Sequence, residues 1–172
     1  MAPIQCCGTT AVTQRELEVS YDKLDPVGME ALIGTWEVDP SYAETPGGKM
    51  FIESGWWGVR FVDSETVDPL LYPDADGTGV FAADLVSLLA LFDTGSRDVS
   101  ARRRDVETMT PNGRVRSIEY RGVVSSALIY DRAPVIDYLR AVDRDTIVAA
   151  VERRGMVDRP AYALLRRCAE PR

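Results

Sequence analysis

Histidine does not occur among the 172 residues. Its absence removes Ser-His-Asp and Cys-His catalysis, histidine metal sites and histidine pH switching. Acid–base chemistry therefore falls to carboxylates, Tyr, Cys, Lys or water. Lysine is nearly missing too: Lys23 and Lys49 are the two side-chain amines, and the other eighteen of the twenty basic residues are arginines. Neither lysine sits in surroundings that would depress an amine pKa. The three cysteines, Cys6, Cys7 and Cys168, stand near the chain ends and have neither a disulfide framework nor metal-ligand spacing. They read as reduced thiols, with a redox role as the alternative. No apolar run approaches the roughly 18 residues that cross a bilayer, and the N-terminal stretch lacks the apolar core of a secretory signal. Integral membrane insertion is not expected, and the cytoplasm is the expected compartment. The phosphate loop Gly-x-x-x-x-Gly-Lys, the dinucleotide Gly-x-Gly-x-x-Gly, the Gly-x-Ser-x-Gly elbow and zinc spacings are missing, and Pro73–Gly79 fails the EF-hand pattern. The reading is that neither cofactor nor metal takes part.

Acid is abundant. The net charge of −7 and pI near 4.7 argue against nucleic acid as a partner, because polyanion binding needs a basic footprint. The charge is divided unevenly. Residues 1–94 carry 4 basic and 16 acidic side chains and residues 95–172 carry 16 and 11, so the two parts attract when packed. A chain of this length is one ordinary domain or two small parts sharing a core. We divide it into a flexible arm over 1–20, a first segment over 21–94 and a β-rich segment over 95–172. A homodimer is compatible with the composition.

Polar Thr9, Thr10, Thr13 and Gln14 break any apolar periodicity in the arm. Asp25-Pro26 reads as the start of a short helix ending at Gly34. Trp36–Val38 reads as a strand, Lys49–Ser54 as a helical turn or two, and Trp57–Phe61 as a half-buried strand. Leu85, Leu88, Leu89 and Phe92 mark a helix over Ala82–Phe92. Then come five β-rich runs: Val115–Tyr120, Gly122–Tyr130, Val135–Ala141, Thr146–Glu152 and Ala161–Arg167. They predict an antiparallel meander, with turns at Pro111-Asn112-Gly113, Asp143-Arg144-Asp145 and Met156–Pro160. Together with the earlier strands it is long enough to curl into a barrel around one small ligand.

Two stretches carry candidate chemistry. In Gly55-Trp56-Trp57-Gly58-Val59-Arg60-Phe61, Trp57 and Phe61 either fill the core or line an apolar cavity, with Trp36 beside them. Glu119-Tyr120-Arg121-Gly122 and Tyr130-Asp131-Arg132 lie at the ends of a hairpin. They are either structural ion pairs or a polar site holding a carboxylate whose pKa is raised by burial. The candidate acid–base groups are Glu119, Tyr130 and Asp131, and the candidate substrate contacts are Trp36, Trp57, Phe61 and Arg121. Arg102-Arg103-Arg104, flanked by acids, reads as a solvated run.

Leu32-Ile33-Gly34-Thr35-Trp36, the Gly55–Phe61 stretch and Val67-Asp68-Pro69-Leu70 resemble the GXWXG-domain family. The blocks Glu119–Val124, Ala127–Asp131, Pro134–Asp137, Val142–Thr146 and Arg154–Met156 resemble the companion domain of unknown function that follows it. Val38 stands where the naming motif has its second glycine. The resemblance implies a lipocalin-like or pleckstrin-like barrel and lipid-type ligands, and it supplies no catalytic residue. The expected fold is α+β and mainly antiparallel β, a curved sheet or lipocalin-like barrel with two or three short helices. The expected ligand is an apolar small molecule. The expected function is a cofactor-independent cyclase or isomerase acting on a polyketide-, terpenoid- or lipid-like substrate, with a non-catalytic binding protein or an interaction module as alternatives. A cavity with a carboxylate inside it favours the enzyme; a cavity without one favours the binder.

Overall fold

The computed structural model describes residues 12–155 and 159–169. Cys6, Cys7, the first eleven residues of the expected arm and residues 156–158 of the last expected turn lie outside them. The helices are α1 (Gln14–Tyr21), α2 (Met29–Leu32), α3 (Pro46–Glu53), α4 (Leu85–Asp93) and α5 (Arg103–Val106). The strands are β1 (Asp25–Pro26), β2 (Gly34–Val38), β3 (Gly58–Phe61), β4 (Val67–Pro73), β5 (Val80–Ala82), β6 (Gly113–Tyr120), β7 (Val123–Tyr130), β8 (Val135–Asp143), β9 (Thr146–Arg153) and β10 (Ala161–Arg167).

Eight strands pair antiparallel in the order β8-β7-β6-β4-β3-β2-β10-β9, and β9 returns to β8, so the sheet closes on itself. The short β1 and β5 add to β8 and β4. This is an α+β, mainly β barrel with five short helices among the described residues, more than the two or three expected. Strand alternation fills its interior. Leu139, Ile147, Ala149, Ala163, Leu165, Trp36, Val59, Phe61 and Leu128 are all nearly inaccessible and belong to one apolar cluster. The β6–β7 hairpin turns on Arg121 (φ 52°) and Gly122 (φ 76°), the two consecutive left-handed residues of a tight hairpin turn. At Gly58 the backbones of β2 and β3 approach so closely that a Cβ would stand 2.0 Å from the Trp36 carbonyl oxygen.

Two local readings need correction. The arm does not extend to residue 20. Thr13 caps α1, accepting from the Glu16 N–H while the Glu16 carboxylate accepts from the Thr13 N–H at 2.8 Å. Leu17 and Tyr21, four residues apart, then pack on the outer face of β9 and β10 against Val148, Ala150, Tyr162 and Leu164. Gln14 behaves like an extra edge residue of β10, donating to the Tyr162 carbonyl at 2.5 Å and accepting from its N–H at 2.9 Å. Nor do Asp25-Pro26 start a helix: they pair with Ala141 and Arg140 as a strand, and α2 begins after Gly28. Prolines suit such an edge, where one face of the backbone needs no donor.

Helices α3 and α4 lie over one end of the barrel and meet through Phe51 and Phe92, ring centroids 5.7 Å apart. Thr45 caps α3, accepting from the Gly48 N–H at 2.9 Å, and Asp84 caps α4, accepting from the Ser87 N–H at 2.9 Å. Arg132 reaches from the β7–β8 turn to the other Asp84 oxygen at 2.9 Å and ties that end together.

Candidate functional site

Beneath α3 and α4 the barrel opens into a cleft of roughly 1250 Å³, lined mainly by apolar groups that include Trp56, Phe51, Leu70 and Val151. The alternation of β8 aims Val135, Asp137 and Leu139 inward, all nearly inaccessible. Asp137 thereby stands between Leu128 of β7 and Val151 of β9, its cross-strand neighbours. Two apolar neighbours cannot solvate a carboxylate, and burial pushes its pKa from the usual 3.8 up to about 7. The Tyr130 hydroxyl donates to Oδ2 at 3.3 Å and partly offsets that rise. The other oxygen, Oδ1, is buried without a hydrogen-bond partner.

Three phenols surround Asp137, of which Tyr42 and Tyr130 line the cleft and Tyr72 lies buried behind them. Tyr42, from the turn Pro40–Glu44, and Tyr130 are held protonated well above the ordinary phenol range, by burial first and then by the charge of Asp137. Burial does the same to Tyr72 of β4, whose hydroxyl lies 3.1 Å from the Ser54 hydroxyl at the end of α3. These phenols can donate hydrogen bonds at neutral pH without ionising. Asp137, behind the cleft wall, is the group poised to change protonation near neutrality. Among the described residues no three His, Cys, Asp or Glu side chains come together as a metal-ligand group.

Of the residues expected from sequence, Tyr130 is at this site. The others are elsewhere. Glu119 is exposed on β6. Asp131 points away from the cleft into a 2.5 Å ion pair with Arg114. Phe61 is core. Arg121 is a turn residue, paired with Asp22 at 3.2 Å and lying over the rings of Tyr21 and Tyr120. Trp36 is wholly buried with its indole N–H donating to the Leu32 carbonyl at 2.7 Å. It floors a smaller cleft of roughly 650 Å³ at the other end of β8 and β9, under the Arg167 guanidinium.

Trp57 is half-buried and does not line the large cleft; Trp56 does. The chain leaving α3 turns at Gly55 (φ 91°) before β3 begins. The Trp56 ring swings inward there, donating its N–H to the Gly58 and Pro69 carbonyls at 2.9 and 3.2 Å and meeting Tyr42 edge to face. Strict alternation back from Phe61 and Val59 misses that turn. Asp137 itself left a trace in the sequence: in Val135-Ile136-Asp137-Tyr138-Leu139 a carboxylate shares the strand face of two aliphatic residues.

The class defined by this geometry is a small closed barrel with a largely apolar cleft and a buried aspartate behind the cleft wall. Residues 20–77 match the family described as GXWXG protein. Residues 111–167 match the companion domain of unknown function, DUF4334, so the chain carries both segments in the order read from its motifs. No curated protein matches the chain. Among solved structures it is similar to a protein from Thermomonospora curvata, with 27% identity and a TM-score of 0.71 over 92% of this chain and 89% of the other. No described helix is long and apolar enough to cross a membrane.

Proposed function

We propose that the protein is a cofactor-independent acid–base enzyme of the isomerase or cyclase type, acting on an apolar polyketide-, terpenoid- or lipid-like substrate. One observation carries this reading: Asp137, with a raised pKa and an Oδ1 that lacks a hydrogen-bond partner, is buried directly behind the cleft wall, bonded to Tyr130, which lines the largely apolar cleft. A base poised near neutrality takes a proton at one carbon and returns it at another, while the shaped cleft holds the reactive conformer. Tyr130 keeps the carboxyl oriented, and Tyr42 is placed to donate to an oxygen of the substrate that gains charge. Trp56 and Phe51 supply the apolar wall.

The test uses a generic apolar proton-transfer substrate, 5-nitrobenzisoxazole. A base removes its ring C–H proton, the N–O bond breaks, and a coloured cyanophenolate forms. The wild-type protein should accelerate this reaction with a rate that rises through about pH 7 as Asp137 ionises, and Asp137→Asn should abolish the acceleration. Uptake of the compound, seen as quenching of tryptophan fluorescence, without Asp137-dependent turnover would instead leave a hydrophobic-ligand binding protein.

A further inference from the structure

The mouth of the large cleft has a charge pattern that the apolar interior does not need. Along β9, Ile147, Ala149, Val151 and Arg153 occupy the same strand face, so the inward row ends in a guanidinium at the opening. Arg154 follows at the start of the turn. Arg15 of α1 and Arg159, before β10, line the same opening. All four are exposed.

Many arginines elsewhere on the barrel hold a carboxylate, Arg60, Arg103, Arg114, Arg116, Arg132 and Arg167 among them, while Arg97 and the buried Arg140 bond backbone carbonyls. Arg15, Arg153 and Arg154 hold none among the described residues, and Arg159 has a single long contact of 3.5 Å to Glu18. The carboxylates lining the mouth are engaged. Glu18 faces Arg159, Glu44 accepts the Gln14 N–H at 2.9 Å, and Glu152 accepts the Tyr120 hydroxyl at 2.7 Å. A protein of net charge −7 thus presents guanidinium groups without a carboxylate partner at the entrance of a large apolar cleft.

We infer that the site takes an amphiphile: an acidic head held by Arg153 and Arg154, with Arg15 and Arg159 around it, and an apolar body lying inside the barrel. Guanidinium forks suit a carboxylate or phosphate head. This inference rests on the cleft being the ligand site and adds its substrate class. The register also fixes the depth of the chemistry. Asp137 pairs with Val151, two residues inward from Arg153, and two strand residues span about 7 Å. The carbon that exchanges its proton at Asp137 therefore lies only a few bonds from the acidic head, and the longer apolar part runs past it towards the barrel floor.

The experiment compares two probes of equal tail length, dodecanoate and dodecan-1-ol, by tryptophan fluorescence and calorimetry at low salt. The wild-type protein should bind dodecanoate about tenfold more tightly than the alcohol. Arg153→Gln/Arg154→Gln should reduce that preference to about twofold and leave the alcohol's affinity unchanged. Raising salt to about 1 M should erase the preference in the unaltered protein, so the result does not depend on the variant folding. Dodecyl phosphate in parallel reports whether the head is a carboxylate or a phosphate, by which of the two gains more from the arginines. Equal affinity for acid and alcohol, or a preference indifferent to both salt and the double substitution, overturns this inference and leaves the cleft intact as a ligand site. Failure of both dodecyl probes to bind removes the cleft reading itself.

Discussion

Replacing Asp137 by Asn should make the protein more stable, and increasingly so as the pH rises. The carboxyl titrates near 3.8 when solvated and near 7 in the fold. Below about pH 3.8 it is neutral in both states and contributes no pH dependence. Between the two values the folded protein keeps the proton that the unfolded chain has lost, so stability falls as pH rises. Above about 7 it is ionised in both states and the full cost is present, about 4 kcal/mol at 1.36 kcal/mol per pH unit. Asparagine keeps the shape and can still accept from Tyr130, but it carries no charge. Other carboxylates titrate over the same range, so the informative quantity is the difference between variant and wild type. Between about pH 5 and about pH 8 that difference should grow by about 3 kcal/mol. At the usual scaling for a chain of this size, that is roughly 6–12 °C in melting temperature. Thermal melts followed by circular dichroism at matched ionic strength measure it. A gap that stays constant with pH, or closes as pH rises, would refute the claim that Asp137 is buried and carries the perturbed pKa.

The other predictions concern single contacts. Tyr130→Phe removes the one hydrogen bond to Asp137 Oδ2, so the pH midpoint of Asp137-dependent proton transfer should move up, whereas a downward move would mean that the phenol does not stabilise the carboxylate. Leu17→Ala, which empties the contact between α1 and the outer face of β9 and β10, should cost about 2–4 kcal/mol in urea unfolding; a loss below about 0.5 kcal/mol would show that the helix is not docked. Gly58→Ala places a methyl group against the Trp36 carbonyl and should largely prevent recovery of folded protein, checked by solubility and near-ultraviolet circular dichroism. Glu119→Gln alters an exposed group on β6 and should leave both the melting temperature and ligand uptake unchanged.

The barrel was legible where short β-rich runs stand between clear turns. From Val115 to Arg167 five such runs follow one another, and β7, β9 and β10 carry continuous buried stretches that suit a sheet covered on both faces there. Helix α4 was legible because Leu85, Leu88, Leu89 and Phe92 recur at helical spacing, although it begins at Leu85 after the Asp84 cap and Ala82 ends β5. Reading failed where one residue changes the parity. The chain's turn at Gly55 exchanged Trp56 for Trp57 as the inward ring, and β4 fits Pro69 and Leu70 between partners that face a single Val59 on β3. Helix α1 was hidden because its two buried residues are docked by tertiary contact, with little apolar periodicity in the segment itself. The buried carboxylate of Asp137 was missed for a further reason. Charged residues at the ends of hairpins draw attention, yet Glu119 and Asp131 are solvated there, while a lone Asp in the middle of an apolar strand passes for an outward-facing residue. Which face of β8 turns inward depends on its pairing with β7 and β9, and that is settled by closure of the whole sheet.

Closure also governs how the chain can be divided. Strands β2, β3 and β4 belong to the stretch matched by the first family and β6 to β10 to that matched by the second. The joints between the two stretches are small: Val67 with Gly113 on one side, three residue pairs between β2 and β10 on the other, and the two residues of β1 on β8. Cut between the segments, each piece would present two raw strand edges and half a cavity wall, Tyr42 and Trp56 in one piece, Tyr130 and Val151 in the other. The pieces carry opposite net charge, so co-expressed fragments should find each other and rebuild the barrel, whereas each alone should aggregate through its open edges. A reporter built on such a split would register reassembly through the return of Asp137 to its buried state.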